Sequence, residues 1–544
     1  MIPRTVFFRL GRFGWLLAAA VLPGMSSARA EVKLHELFTD HMVLQRNIAV
    51  PVWGWAEDGE EVTVEFRGRK VSTRAKGGTW MVRLGKLTAG GPDELKVTGR
   101  NSLIVRDVLV GEVWIASGQS NMEWPLRLSF EPMGDILGSA NPKLRLFTAP
   151  KLKATEPVRH VDSSWQESGP NTVSNFSAVA YYFGTFLQHQ LGVPVGMIHT
   201  SWGGSPAEVW IRHEILEANP DYKRDILEVY AAQMKNLEEE VAQFEKEQAQ
   251  AKQEGKPFDK RRPVAGWHPS ELYNGMIAPI LPYAIQGAIW YQGESNASRA
   301  HEYRSLFADM IRNWRKDWGQ GDFAFLEVQL APFMAIKDQP GDSNWAELRE
   351  AQLLATRKLP NVGMAVITDV GDEKDIHPRW KKPVAYRLAE AARGIAYHQD
   401  NVRSGPIYRG MKIKGQQAIL SFDSIGDGLV GLPLATSNSG TNRPEEISFT
   451  FDLNKGHLQA PLTGFAVAGE DRHFVWAKAE IQGHKVIVSS PQVPKPAAVR
   501  YGWADYPVVN LYCAPGAGSP LLPASPFRTD DWPMITAPKK ETKN

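Results

Sequence analysis

Four short polar clusters carry residue types able to cleave an ester. The first, Ser117-Gly118-Gln119-Ser120-Asn121-Met122, sets a hydroxyl just past an apolar run ending at Ala116. Gly118 permits a tight turn, so Ser120 is expected to open a helix with its own N–H available to a developing oxyanion. Alone, a serine at such a turn is more often a helix N-cap, and its company makes the case for chemistry. The second cluster, Thr200-Ser201-Trp202-Gly203-Gly204-Ser205-Pro206, follows a run ending at His199. Adjacent glycines there let backbone N–H groups approach a ligand closely. The third, Trp290-Tyr291-Gln292-Gly293-Glu294-Ser295-Asn296-Ala297, puts two amides and a carboxylate at the end of an apolar run. That is a costly place for them unless they pair with one another or with a ligand. The fourth runs from Asp369 to Pro378, and Asp375 stands two residues before His377. A carboxylate there could hold one imidazole nitrogen while the other faces Ser120, the arrangement of a hydroxyl nucleophile, its base and an orienting acid.

The four clusters share one property: each follows an apolar run that reads as a buried strand. From about 107 to 403, short apolar runs alternate with helical periods, the pattern of a parallel sheet with crossover helices. Strands are expected at Val113–Ala116, Val195–His199, Gly287–Tyr291, Phe323–Gln329 and Gly363–Thr368, and helices at Val179–His189, Tyr303–Trp314 and Val384–Tyr397. Open sheets of this class assemble their sites at the carboxyl ends of the strands, where all four clusters fall. An insertion near 213–265 interrupts the pattern, with Leu227, Tyr230, Met234, Leu237, Val241 and Phe244 at helical spacing on a charged background. It reads as a long amphipathic helix with a solvated face, open to a role as cap or as dimer contact.

Residues 31–106 read as a small β-sandwich, with strands at Ala49–Trp53, Glu61–Phe66, Thr79–Leu84 and Glu94–Val97 between Gly-rich turns. A second β-rich domain is expected over 404–535, with strands at Ala418–Phe422, Ser448–Asp452, Phe474–Ala477 and Lys485–Ser489, then a flexible tail over 536–544. A chain of 544 residues exceeds what one core usually serves, which accords with three domains. A net charge of +2 gives no argument for nucleic acid or acidic membranes, and points to a small or neutral partner. Eighteen tryptophans supply both core material and surfaces on which a sugar can stack.

Residues 1–30 carry Arg4, Arg9 and Arg12, an apolar run from Phe13 to Leu22, and Ala28-Arg29-Ala30, the pattern of a cleaved export signal. The run is too short to span a bilayer, so an exported protein, periplasmic or extracellular, without a membrane span is expected. The single cysteine, Cys513, cannot form an internal disulfide. No Cys cluster or H-E-x-x-H pattern supports a zinc site.

Gly118-Gln119-Ser120-Asn121-Met122, Ser201-Trp202-Gly203-Gly204, Trp290 to Asn296 and Asp375-Ile376-His377-Pro378, in this order, resemble the blocks of the sialate O-acetylesterase family within the SGNH hydrolases. Leu44-Gln45, Leu272 to Ile277 and Pro526 to Trp532 extend the resemblance over nearly the whole mature chain. It implies an α/β fold with a central SGNH-type, flavodoxin-like parallel sheet, helices on both faces, and flanking β-sandwich-like domains. It further implies hydrolysis of O-acetyl esters on sialic acid or other glycans, with no cofactor and no metal. Ser120 would be the nucleophile and His377 the general base; Ser120, Gly203, Gly204 and an amide from the third block would hold the oxyanion, and Gln119, Asn121 and Glu294 would support them. Two departures leave choices open. The usual SGNH third block is Gly-x-Asn-Asp, whereas this chain has Gly293-Glu294-Ser295-Asn296, so either Gln292 or Asn296 could supply the amide. The usual Asp three residues before the histidine is Lys374 here, so Asp375 is expected as the acid, with Asp372 and Asp369 behind it. An acetylxylan or other plant-polysaccharide esterase is the alternative within the class, and a catalytically silent glycan-binding protein the alternative outside it. A lipase or peptidase is disfavoured because no serine stands in a G-x-S-x-G elbow.

Overall fold

The computed structural model describes residues 31–434, 460–514 and 520–538. The segment read as an export signal, the strand expected at Ser448–Asp452 and the tail beyond 538 lie outside the described residues. At the centre is a sheet of β1 (Ser102–Gly118), β2 (Asn141–Thr148), β3 (Gln166–Ser168), β4 (Val195–His199), β5 (Gly287–Tyr291), β6 (Ala324–Val328) and β7 (Val362–Ala365), in the order β3-β2-β4-β1-β5-β6-β7. All neighbours run parallel except the edge strand β3, which is antiparallel to β2. Strands β4, β5 and β6 are buried at every residue, because helices cover both faces of a parallel sheet.

The helices include α1 (Ser120–Glu123), α2 (Ala178–Leu191), α3 (Val229–Gln253), α4 (Ala300–Trp318), α5 (Asn344–Lys358) and α6 (Lys381–Ile395). Successive strand side chains point to opposite faces. Ile289 and Tyr291 of β5 therefore join the core under α2 and α6, whereas Ala288 and Trp290 join the one under α4 and α5. Ser177 caps α2 and Ser343 caps α5, each hydroxyl accepting an N–H of the first turn. No helix among the described residues is long and apolar enough to cross a membrane.

The change of texture near residue 106 falls inside a single strand. Up to Asp107, exposed and covered residues are mixed along β1; from Val108 to Gly118 every residue is buried. The strand leaves a layer with one face in solvent and enters the centre of the covered sheet. Its first half pairs with Gly90–Thr98, which pairs with Glu61–Phe66 and, beyond it, Arg69–Arg74. Val50–Trp55, Thr79–Leu84 and Lys33–Leu34 form a separate three-stranded sheet.

Beyond residue 404, Ile407–Lys414, Gln417–Asp423, Lys485–Ser489 and Lys478–Gln482 form one antiparallel sheet. Val475–Trp476, Phe465–Ala468, Ala498–Tyr501 and Phe527–Arg528 form another, and Leu420 and Val488 share a core with Val467 and Tyr501. Arg349 of α5 anchors this region: its buried guanidinium donates to Leu330 O, Ala331 O, Ala504 O and Asp505 O, satisfying carbonyls of two elements with one fork of donors.

Within residues 213–265 the longest element is the helix α3. Along α3 Phe244 is buried, edge-on to Phe258 at 5.2 Å, while Met234, Leu237 and Val241 are half-covered. The returning strap is pinned by Lys260–Glu247 at 2.6 Å and Arg262–Glu245 at 3.1 Å. Past it, Trp267 reaches the carboxyl edge of the sheet and meets Trp202 edge to face at 5.5 Å.

Candidate active site

Three of the clusters meet across the carboxyl ends of β1, β4 and β5. Gly118 and Tyr291 are register partners at the ends of β1 and β5. Gly118 has φ 133°, and a Cβ on it would lie 2.2 Å from Tyr291 O, so only glycine lets the strands converge here. Gln119 N–H donates to the same carbonyl at 2.9 Å, which turns the chain so that Ser120 opens α1. The Ser120 N–H has no acceptor among the described residues, as the first N–H groups of a helix have no intrahelical partner.

The fourth cluster arches over this turn. His377 Nε2 lies 2.8 Å from Ser120 Oγ, and the imidazole stacks on Trp124 with centroids 5.1 Å apart. Asp375 Oδ1 accepts the His377 backbone N–H at 2.9 Å and stands 3.4 Å from Nδ1. The other two aspartates of the loop are occupied elsewhere. Asp369 is buried against Arg387 at 2.6 and 2.7 Å and accepts the Tyr512 hydroxyl at 3.0 Å, which ties the loop to the C-terminal β-region. Asp372 Oδ1 accepts the N–H groups of Lys374 and Asp375, closing the turn. Burial holds the His377 imidazole below its ordinary value of 6.5, the Lys381 charge adds to that, and Asp375 opposes it. A neutral imidazole bonded to a hydroxyl can act as its base.

The glycine block closes on the same hydroxyl: a Cβ on Gly203 would sit 3.3 Å from that of Ser120. Its N–H donates to Glu123 Oε2 at 2.6 Å, and Glu123 Oε1 holds Lys151 Nζ at 2.5 Å. The Gly204 N–H has no acceptor among the described residues, and its carbonyl accepts from Ser295 Oγ at 3.0 Å. Lys151 lies over the Trp202 ring at 5.3 Å and Lys153 over Trp267 at 4.0 Å, so aromatic faces and cations line this side.

Gln292 and Asn296, either of which is expected from the sequence to supply an amide to the oxyanion, are bonded to each other. Both are fully buried, and Gln292 Nε2 donates to Asn296 Oδ1 at 2.7 Å and to Ser205 O at 3.3 Å. Asn296 Nδ2 donates to Glu208 Oε2 at 2.9 Å, while its oxygen also accepts from Ala207 N. Both side chains hold the loop after Gly204 beneath the site, because a buried amide left without partners costs more than one spent internally. Gln119 Oε1 does similar work, accepting from Gly293 N at 3.2 Å and Ser295 N at 3.4 Å.

Two side chains at the centre carry no sequence signal. Trp124 reaches His377 through the turn of α1, and Lys381 lies on α6, four residues past His377. Lys381 Nζ donates to Asn121 Oδ1 at 2.5 Å, and Asn121 Nδ2 donates to Glu294 Oε1 at 2.6 Å and Ile376 O at 3.1 Å. A second Ser–His pair, Ser201 with His199, is sealed: both residues are buried, and burial pushes the His199 imidazole down to about 4. Among the described residues, His41, Asp107 and Glu167 bring their ligand atoms within 4.8 Å of one another. Arg145 already neutralises them, 2.5 Å from Asp107 and 3.2 Å from Glu167, which opposes a cation there.

Comparison with known proteins gives a consistent relationship. Residues 262–392 match the family model described as carbohydrate esterase, sialic acid-specific acetylesterase. The chain is 30% identical to the sialate O-acetylesterase of Rattus norvegicus, over 90% of this chain and 92% of that protein. With the Homo sapiens sialate O-acetylesterase the identity is 28%, over 94% and 95%. A crystal structure of a carbohydrate acetylesterase from Xanthomonas citri superposes with a TM-score of 0.75 and 36% identity, covering 92% of this chain and all of that one. With a carbohydrate-esterase relationship over 90% of its length and a hydroxyl–imidazole pair at the carboxyl edge of the sheet, the chain belongs to the sialate O-acetylesterase family and is a carboxylic ester hydrolase.

Proposed function

We propose that the protein removes O-acetyl groups from sialic acid or another acetylated glycan through an acetyl-enzyme on Ser120, on an SGNH-type, flavodoxin-like sheet. The observation that carries this reading is the 2.8 Å contact between Ser120 Oγ and His377 Nε2. His377 takes the Ser120 proton as Oγ attacks the acetyl carbonyl, and the tetrahedral intermediate collapses as the imidazolium protonates the leaving sugar oxygen. Water then attacks the acetyl-enzyme with its proton going to His377, and acetate leaves as Ser120 regains a proton. The Ser120 N–H and the Gly203-Gly204 backbone receive the oxyanion, for which Glu123 must yield the Gly203 N–H. Asp375 orients the imidazole and stabilises its charged form. Trp202 and Trp267 offer perpendicular faces to the sugar. The pattern of residues 1–30 supports export, where such glycans are met.

The test is acetate release from O-acetylated sialic acids, acetylated xylan and acetylated pectin, with Ser120→Ala run beside the parent. The variant is expected to lose on the order of 10⁴ to 10⁶ in kcat while keeping its fold. Full activity in it removes the serine mechanism, and the absence of acetate release from all three substrates removes the glycan-esterase reading.

A further inference from the structure

Lys381 is 1% exposed, at the first position of a helix, where the helix dipole also disfavours a cation. So costly a placement calls for compensation, and the partners it finds all belong to the site. Nζ bonds Asn121, the residue after Ser120, and lies 5.6 Å from the ring centre of Trp124 and 5.4 Å from that of Tyr291. Asn121 in turn holds the carbonyl of Ile376, the residue before His377, and one oxygen of Glu294. The other Glu294 oxygen is buried without a partner among the described residues.

We propose that Lys381 is a positioning residue for the ester hydrolysis: through Asn121 it holds the turn of Ser120 and the loop of His377 in register, and its charge keeps the imidazole available as a base. The proposal rests on the Ser120–His377 reading. A lysine bonded to Asn121 Oδ1 fixes the amide so that Nδ2 must face Glu294 and Ile376 O, and the bond to Ile376 O fixes the backbone from which the imidazole projects. The charged groups facing His377 are Asp375 and Lys381, and those facing Lys381 are Glu294 and Asp375. Burial brings the Lys381 ammonium down to about 7, against the pull of both carboxylates. As pH falls through that value Lys381 gains its charge before His377 would titrate, and like charges at close range push imidazole protonation to lower pH. The acid limb of activity is thereby extended.

The experiment compares Lys381→Met, Lys381→Arg and Ser120→Ala with the parent by the pH profile of kcat/KM for acetate release. Lys381→Met is expected to lower kcat about tenfold or more with KM within about twofold, and to move the acid limb upward by roughly half a pH unit. Lys381→Arg keeps the charge and is expected to leave the limb near its parental position even where packing lowers kcat. A parental limb in Lys381→Met overturns the charge role, and a parental kcat overturns the positioning role. Should Lys381→Met fail to accumulate, Lys381→Gln, which also lacks the charge, is read in its place: an upward-moved limb and a lowered kcat are expected, and a parental limb or a parental kcat overturns the corresponding role. An active Ser120→Ala removes the underlying reading instead, so the two failures are distinct.

Discussion

Replacing Asp375 by asparagine isolates what the third member of the constellation contributes. The amide keeps the oxygen that accepts the His377 N–H at 2.9 Å, so the loop is expected to hold its shape, and the charge alone is lost. That charge stands 3.4 Å from Nδ1 on a side chain 52% exposed, a distance and setting in which solvent screens most of the attraction. Taking an effective dielectric constant of about 80 down to about 40 for such a half-exposed pair, Coulomb's law gives about 1.2 to 2.4 kcal/mol at 3.4 Å. If all of it acts on the imidazolium formed in the transition state, kcat falls roughly eightfold to sixtyfold. A buried triad carboxylate, by contrast, is worth about 10⁴. The same substitution removes the group that raises the His377 pKa, so the acid limb of kcat/KM moves to lower pH, opposite in sign to Lys381→Met. Steady-state acetate release in a pH-stat between pH 4 and 8 reads both quantities. A loss beyond about 10³ refutes the screening argument, and an upward move of the limb refutes the assignment of Asp375 as the acid partner.

Two further outcomes concern stability. Asp369→Ala leaves Arg387 buried without its carboxylate and Tyr512 without its acceptor, so the denaturation free energy is expected to drop by about 3 to 5 kcal/mol; a change under about 1 kcal/mol in urea unfolding contradicts the buried pair. Glu327 on β6 is buried with both oxygens unpartnered among the described residues, and burial drives its carboxyl far above the ordinary 4.5. The fold therefore holds it neutral while the unfolded chain ionises above 4.5, a penalty absent below that value and growing as pH rises. Glu327→Met is accordingly expected to stabilise by about 1 to 3 kcal/mol at pH 8 and by less at pH 4, read from unfolding midpoints at both pH values; an equal gain at both refutes the ionisation argument.

Apolar patterning made much of the fold legible. Val195–His199 and Gly287–Tyr291 stand where the unbroken apolar runs place them, because strands covered on both faces need no polar residue. Elements whose stability comes from neighbours were missed. Arg69–Arg74 has five polar residues in six and exists as the outer partner of Glu61–Phe66. β2 is opened by Asn141-Pro142-Lys143 and gains its place by pairing with β4 and β3. The change of texture at 106 was visible as composition, yet continuity of β1 through it was not, since burial of the strand depends on what other segments cover.

For the site, the sequence by itself determined which residues are candidates for chemistry and that they follow strands: Ser120, the glycines at 203 and 204, Asp375 and His377 are short-range patterns, and short-range patterns survive in one dimension. Only the tertiary structure decided how donors and charges are shared out. It bonds Gln292 to Asn296 and Asn296 to Glu208, sets Asp375 rather than Asp369 or Asp372 beside the imidazole, puts Glu123 on the Gly203 N–H, and buries Lys381 against Asn121. Hydrogen-bond partners and burial are properties of segments brought together from distant parts of the chain, and each donor can be spent only once, so their allocation follows from packing and from nothing local.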